Sequence, residues 1–381
     1  MVSRRRAMNP SVLFVSKPIA PPFHDGSKCL VRDVARNLTR LDPVVMSTPG
    51  APPVLAAPGA RSVRLVPAYG TPGAFTPALS ANLRAAAWLL VRSRASVWHF
   101  VFAPNPRTSA AGRALSRLRG TPVVQTVASP PRSFERPERL FFGDVVVAQS
   151  NWTRRAIEQS YERASLRAPR LVTIPPPVPE LAAPSPNEIA AARARLELAP
   201  GTRYLVYPGD LETSSGAEVS AGLVEQLAQC APDLVTVFAY RRKTAQAAQM
   251  AERLSARLPR AQTRFAEDVP DILAVLAGAA AVIFPVDDLW GKVDLPIVLL
   301  EAMALGAPVI ALDQGPLSDL CAGIKVPSLD LAPWRREVEA LLAEPRRAQI
   351  VAARQREALD ARHRSSIVAR AYEDLYLELA R

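Results

Sequence analysis

Residues 281–311 read AVIFPVDDLWGKVDLPIVLLEAMALGAPVIA. An apolar strand ends in Pro285 and two acids, a polar loop follows, and then comes an apolar helix carrying one acid, Glu301. Gly306 stops that helix, Pro308 follows, and a second apolar strand begins. A lone carboxylate in an apolar helix is costly to bury unpaired, so a polar group is expected to meet Glu301. The strand-loop-helix order puts this candidate site at the carboxyl end of a strand, where open parallel sheets bind ligands.

The same alternation runs outward through the chain. In the first half, apolar runs at 11–16, 43–47, 63–66, 96–102, 122–127, 144–149 and 171–174 read as strands. Helical patterns lie between them at 28–39, 81–92, 108–118 and 152–161. Pro175, Pro176, Pro177, Pro179, Pro184 and Pro186 then mark a linker. Beyond it the pattern restarts, with strands at 204–207, 234–239 and 262–265 and helices at 187–196, 217–230, 244–258 and 269–277. The stretch quoted above follows, and helices at 332–343, 345–360 and 366–379 close the chain. Strand-helix alternation implies parallel sheets covered on both faces. The expected fold is therefore α/β: two doubly wound, Rossmann-like domains, 1–178 and 179–365, facing a central cleft.

Composition bounds the function. The chain has 381 residues, 49% of them hydrophobic, enough for two sizeable cores. Cys29, Cys230 and Cys321 are far apart in apolar patterns and read as buried thiols in a reducing compartment. His24, His99 and His363 are equally scattered, so no protein-built metal site is readable. Arg4, Arg5 and Arg6 precede an apolar run too short for a secretory signal. The longest uncharged stretch, 272–286, is shorter than a membrane span and reads as a buried helix plus a buried strand. The expected location is the cytoplasm.

Charge is asymmetric. Residues 1–180 hold 25 Lys and Arg against 9 Asp and Glu, whereas residues 181–381 hold 22 against 26. A basic half suits an anionic partner such as a membrane surface, and equally suits solvated faces. No zinc finger, basic zipper or RNA-binding signature is present, which disfavours nucleic acid.

A second motif lies at 204–218, YLVYPGDLETSSGAE: a buried strand ending in Pro208-Gly209, a polar loop, Gly216 and a helix. Glycine ahead of a helix lets backbone N–H groups face an anion. With DVPDILAVLAGAAAVIFP and DLPIVLLEAMALGAPVIA following it, this order resembles the C-terminal domain of family-4 type, GT-B fold glycosyltransferases. HDGSKCLVRDVARNL, SVWHFVFAPN, DVVVAQSNWTRRAIE and TIPPPV resemble segments of that family's N-terminal half and hinge. The resemblance implies a retaining, metal-independent glycosyltransferase of hexosyl type with no other cofactor. A nucleotide-diphosphate sugar would bind mainly to the C-terminal domain and an acceptor (glycan, lipid-linked or small molecule) mainly to the N-terminal one. It also implies that the helix at 366–381 returns to the first domain, for which Tyr372, Leu375 and Tyr376 supply an apolar face.

Under that resemblance Glu301 accepts hydrogen bonds from ribose hydroxyls, as an ionised carboxylate does well. Gly209, Ser215 and Gly216 would approach the diphosphate, as would Gly26 and Ser27 from the first domain. Asp294 would contact the donor sugar or, alternatively, cap the helix running through Leu300. Val293 stands where the family has its first Glu, Asp210 where it has Arg, and Ser215 where it has Lys. Losing both cations removes stabilisation of the leaving group. Lys292, or one of Arg241, Arg242 and Lys243, could replace the charge. His99, at a strand ending, faces either cleft or core and is, with Asp294, a candidate catalytic residue under the resemblance. Ser150 and Asn151 read as helix caps, and Arg154 and Arg155 could reach an anion. These departures keep a second reading open: a degenerate relative that binds nucleotide or glycan, or scaffolds a partner, without transferring sugar.

Overall fold

The computed structural model describes residues 10–381 except Pro22, His24, 71–78, Lys243 and Trp290. Arg4, Arg5, Arg6, His24 and Lys243, considered above, lie outside the described residues. The chain divides into two compact units, Met1–Pro179 with Gly291–Asp294 and Arg362–Arg381, and Glu180–Trp290 with Leu295–Ala361.

The first unit runs β1 (Ser11–Val15), α1 (Gly26–Ala35), β2 (Asp42–Ser47), β3 (Arg64–Pro67), α2 (Leu79–Arg92), β4 (Val97–Phe102) and α3 (Pro106–Arg119). It continues with β5 (Val123–Val127), the short α4 (Pro137–Leu140), β6 (Val145–Ala148), α5 (Asn151–Arg163) and β7 (Arg170–Thr173). All pairings are parallel, in the order β3-β2-β1-β4-β5-β6-β7. The direction of winding therefore reverses between β1 and β4. Strands such as VVVA are apolar throughout because both sheet faces are covered. Pro106 opens α3 behind the capping Asn105, and Gly120 ends it in the left-handed conformation.

The second unit runs α6 (Pro186–Arg195), β8 (Tyr204–Tyr207), α7 (Gly216–Leu227), β9 (Val235–Tyr240), α8 (Ala245–Arg257), β10 (Thr263–Glu267) and α9 (Ile272–Ala277). β11 (Ala281–Phe284), α10 (Ile297–Leu305), β12 (Val309–Leu312), β13 (Ile324–Val326), α11 (Leu331–Ala343) and α12 (Pro345–Arg362) complete it. Its strand order, β10-β9-β8-β11-β12-β13, repeats the plan of the first sheet and reverses between β8 and β11. The stretch at 281–311 supplies β11, α10 and β12, with Gly306 ending α10 at φ 87°. The uncharged run at 272–286 is α9 followed by β11, and no described helix is long and apolar enough to cross a membrane.

The last helix, α13 (Ser365–Leu379), belongs to the first unit. Tyr372, Leu375 and Tyr376 join Val12, Phe14 and Val34 in one core. Glu373 is almost fully buried and accepts hydrogen bonds from Thr39 N and Arg40 N, both at 2.6 Å, just beyond the end of α1. A core of Leu13, Met46, Trp98 and Leu89 lies under α2.

The three cysteines form no disulfide, and only Cys29 and Cys321 are buried. Cys230 is exposed just past α7, a correction to the pattern reading, which took it as the inward side of a longer helix.

Candidate functional site

In the second unit, β8 and β11 are the neighbours at which the strand order reverses, and their carboxyl ends carry the two motifs. Tyr207, the last residue of β8, is fully buried and props the loop above it. Its hydroxyl donates to the Asp210 carbonyl oxygen at 2.7 Å. A Cβ on Gly209 would fall 2.3 Å from Tyr207 Cζ, and one on Gly216 would fall 2.7 Å from Tyr207 Oη and 2.9 Å from Val286 Cγ2. Both glycines are therefore required by close approach rather than by backbone conformation. Burial pushes the Tyr207 hydroxyl well above the ordinary phenol range, so it stays a donor.

The N-terminus of α7 already holds an anion belonging to the chain. Ser215 N donates to Asp287 Oδ1 at 2.9 Å, and Ser215 Oγ donates to Asp287 Oδ2 at 2.7 Å. Burial raises the Asp287 carboxyl, but these hydrogen bonds outweigh it and hold the group below its usual range. Both donors of Ser215 are thus engaged by a carboxylate, because Asp287 lies just past the end of the adjacent strand β11. Gly216 N donates to Ser214 Oγ at 3.3 Å. In the same loop Asp210 is buried, and Glu212 accepts from Thr244 Oγ1 at 3.1 Å. Of the basic triplet, Arg242 is paired with Glu267 at 2.8 Å, so a surface ion pair accounts for it. Glu301 is half-buried midway along α10, whose Leu299, Leu300, Ala302 and Met303 are buried.

In the first unit, the carboxyl end of β1 leads to α1. Asp25 caps that helix, accepting from Ser27 N at 2.8 Å and Ser27 Oγ at 2.5 Å. Lys17 Nζ donates to its other oxygen at 2.6 Å. Burial raises the Asp25 carboxyl, but the Lys17 charge and these hydrogen bonds win and hold it low. Ser27 is thus Asp25's partner in the cap of α1. Lys28 Nζ donates to the Ala20 carbonyl oxygen at 3.1 Å, and desolvation lowers its pKa.

Gly26 receives the 291–294 segment: a Cβ there would lie 2.8 Å from Val293 Cγ1. Val293, standing where the resemblance implies Glu, is buried against this glycine. Beside it Lys292 is half-buried, and Asp294 is completely buried, accepting from Ser150 Oγ at 2.7 Å. Ser150 Oγ also accepts from Thr153 N at 3.0 Å, capping α5 as expected. Asp294 does not cap α10, since Pro296 holds the N-cap position and Asp294 is turned to Ser150 instead. Asn151 lies inside α5 and accepts from Thr173 Oγ1 at 3.1 Å, and Arg154 pairs with Glu158 at 3.3 Å.

His99 is the clearest correction. It is completely buried beneath α13, with Nε2 2.7 Å from Thr126 Oγ1 and Nδ1 2.7 Å from Tyr376 Oη. Burial lowers its pKa to about 3, so the ring is neutral and is a packing residue, not a catalytic one. The sequence reading also missed Lys17, Asp25, Lys28, Tyr207 and Asp287. Asp25, directly ahead of α1, is an N-cap that the helix-start signal could have found, whereas Asp287 acts on Ser215, 72 positions away, which no local spacing rule reveals. Among the described residues no group of three or more His, Cys, Asp or Glu could hold a metal ion.

Comparison with known proteins bears on the fold. Residues 202–344 match the family model described as "Glycosyl transferases group 1". No curated protein matches the chain. HepE from Anabaena, solved with UDP-glucose, is similar at TM-score 0.69 and 15% identity, covering 97% of this chain and 99% of that one. Sucrose-phosphate synthase from Thermosynechococcus elongatus is similar at TM-score 0.72 and 19% identity, over 97% and 99%. A glycosyltransferase from Rickettsia africae is similar at TM-score 0.70 and 14% identity, over 98% and 99%. The fold is that of the GT-B glycosyltransferases, two parallel sheets flanked by helices.

Proposed function

We propose that this chain is a glycosyltransferase that moves a hexosyl group from a nucleotide-diphosphate sugar to a hydroxyl acceptor, with retention and without a metal. The observation that carries the reading is the family match over 202–344, which spans both the Gly209–Gly216 loop and Glu301. In this reading the Glu301 carboxylate accepts from the ribose hydroxyls, and the glycine-lined loop lets backbone approach the diphosphate. The acceptor oxygen bonds to the anomeric carbon while the bond from that carbon to the diphosphate oxygen breaks. The acceptor's proton passes to the departing phosphate oxygen. Attack from the side of the leaving group preserves the anomeric configuration and needs no nucleophilic side chain. Lys292 offsets the developing charge in place of the cations missing at Asp210 and Ser215.

The test is a panel of nucleotide sugars with candidate acceptors, followed by release of nucleoside diphosphate. Turnover with one donor supports the reading, and neither binding nor turnover across the panel sinks it. Glu301→Ala is expected to weaken donor affinity by about tenfold or more, the loss of two charge-assisted hydrogen bonds. Unchanged affinity on calorimetry would refute the ribose role. One observation favours a second reading, a relative that binds nucleotide or glycan without transferring sugar: Asp287 occupies the donors of Ser215 where a phosphate would lie. Donor binding without turnover, across a panel that includes lipid-linked acceptors, would select it.

A further inference from the structure

One face of the first unit has a composition that neither core packing nor the proposed donor site uses. From residue 43 to residue 134 the chain contains no Asp or Glu, but ten Arg. Helices α2 and α3 both fall inside this stretch. α2 packs inward through Ala85 and Leu89, yet Leu83, Ala87 and Val91, at four-residue spacing, are exposed on its other side. A helix apolar on both sides is expected to be covered on both. Leu83 and Val91 are 62% and 79% exposed, and Leu118 near the end of α3 is 75% exposed, among the most exposed large apolar side chains described. Arg119 Nη2 donates to the Ser93 carbonyl oxygen at 2.7 Å, tying the end of α3 to the end of α2. The helix ends that carry Val91 and Leu118 are thus held side by side. Around them Arg84, Arg92, Arg94, Arg107 and Arg117 are exposed and have no carboxylate partner among the described residues.

We propose that the outer face of α2 and α3 docks on an anionic lipid bilayer, inserting Leu83, Val91 and Leu118 at the headgroup boundary while the arginines meet lipid phosphates. Exposed apolar side chains framed by unpaired cations match such a surface. A nucleic acid would use the cations and leave the leucines in water. The docking rests on the first unit alone. Its consequence, a lipid-linked acceptor, rests in addition on the glycosyltransferase reading.

The test is sedimentation of the full chain with vesicles of phosphatidylcholine alone and of phosphatidylcholine with phosphatidylglycerol. Binding is expected only to the anionic vesicles, and it should weaken as salt rises. Arg92→Glu with Arg117→Glu should weaken it by about tenfold or more, and Leu83→Ser with Leu118→Ser should also weaken it while circular dichroism stays unchanged. Equal binding to both vesicle types, no binding to either, or retention by both double variants would overturn the proposal. So would vesicle binding abolished by a short RNA duplex that itself binds in the leucine variant as in the wild type. Nucleotide-sugar affinity, measured without vesicles, is expected to be equal in all these variants. Its failure would bear on the donor reading and not on docking.

Discussion

At the scale of single residues, two carboxylates and one imidazole set the behaviour of the molecule. Asp287 fills the N-terminus of α7, and Asp25 fills that of α1. Only Asp25 has a described lysine at hydrogen-bond distance, Lys17. Asp287→Asn should therefore relieve repulsion at the glycine loop and tighten binding of a nucleoside diphosphate by about fivefold. Calorimetric titration checks this, and equal or weaker affinity would show that Asp287 does not compete. His99 makes a prediction about pH. Its folded pKa, about 3, is below its ordinary value of 6.5, so the unfolded chain binds the extra proton between those limits. Stability is then complete above 6.5 and declines as pH falls, by about 1.4 kcal/mol per unit for one proton. His99→Gln should lower stability overall but make the slope between pH 6.5 and 5 shallower by about that amount in urea titrations. His363, also lowered by burial, adds a second contribution of the same sign, which the variant retains.

At the scale of elements, the loop joining β8 to α7 is shaped from below by one tyrosine. Gly216→Ala would bring its new methyl within 2.7 Å of Tyr207 Oη and 2.9 Å of Val286 Cγ2. Such overpacking costs about 1–3 kcal/mol. Tyr207→Phe removes one of those collisions and also the hydrogen bond to Asp210, at about 1 kcal/mol. The double variant should therefore be less damaged than the sum of the singles, by at least about 0.5 kcal/mol on thermal or urea unfolding. Strict additivity would show that the tyrosine does not prop the loop. Most elements were legible at this scale. The runs SVLFV, YLVY and AVIF are apolar for their whole length because both sheet faces are buried, and Pro106 and Gly120 punctuate α3 from within the sequence. α4 and β13 escaped notice, being four and three residues long. Unlike the equally short YLVY and AVIF, PERL and IKV are interrupted by charge, so neither a period nor a continuous apolar run marks them.

At the scale of the whole molecule, the end of the chain completes its beginning. α13 puts Tyr372, Leu375 and Tyr376 into the core of the first unit, and its Glu373 holds the backbone beyond α1. Glu373→Gln should cost about 1–3 kcal/mol, because a buried acceptor of two backbone N–H groups loses its charge. Loss of stability confined to the first unit, read by hydrogen exchange at Thr39 and Arg40, is the expected outcome. Equal protection in wild type and variant would contradict it. The sequence by itself determined the two doubly wound sheets, because alternation, punctuation and uniformly apolar strands are local properties. It also singled out Glu301 and the glycines of the β8 loop, because a lone acid among apolar residues and a glycine before a helix stand out in any context. Only the tertiary structure decided that His99 is core, that Asp294 is bound to Ser150, and that Asp287 holds Ser215. The physical reason is distance along the chain. Ser150 and Asp294 are 144 positions apart, Ser215 and Asp287 are 72, and His99 and Tyr376 are 277. Whether a polar side chain meets substrate or its own chain depends on which strand ends the winding makes neighbours, and no local pattern carries that information.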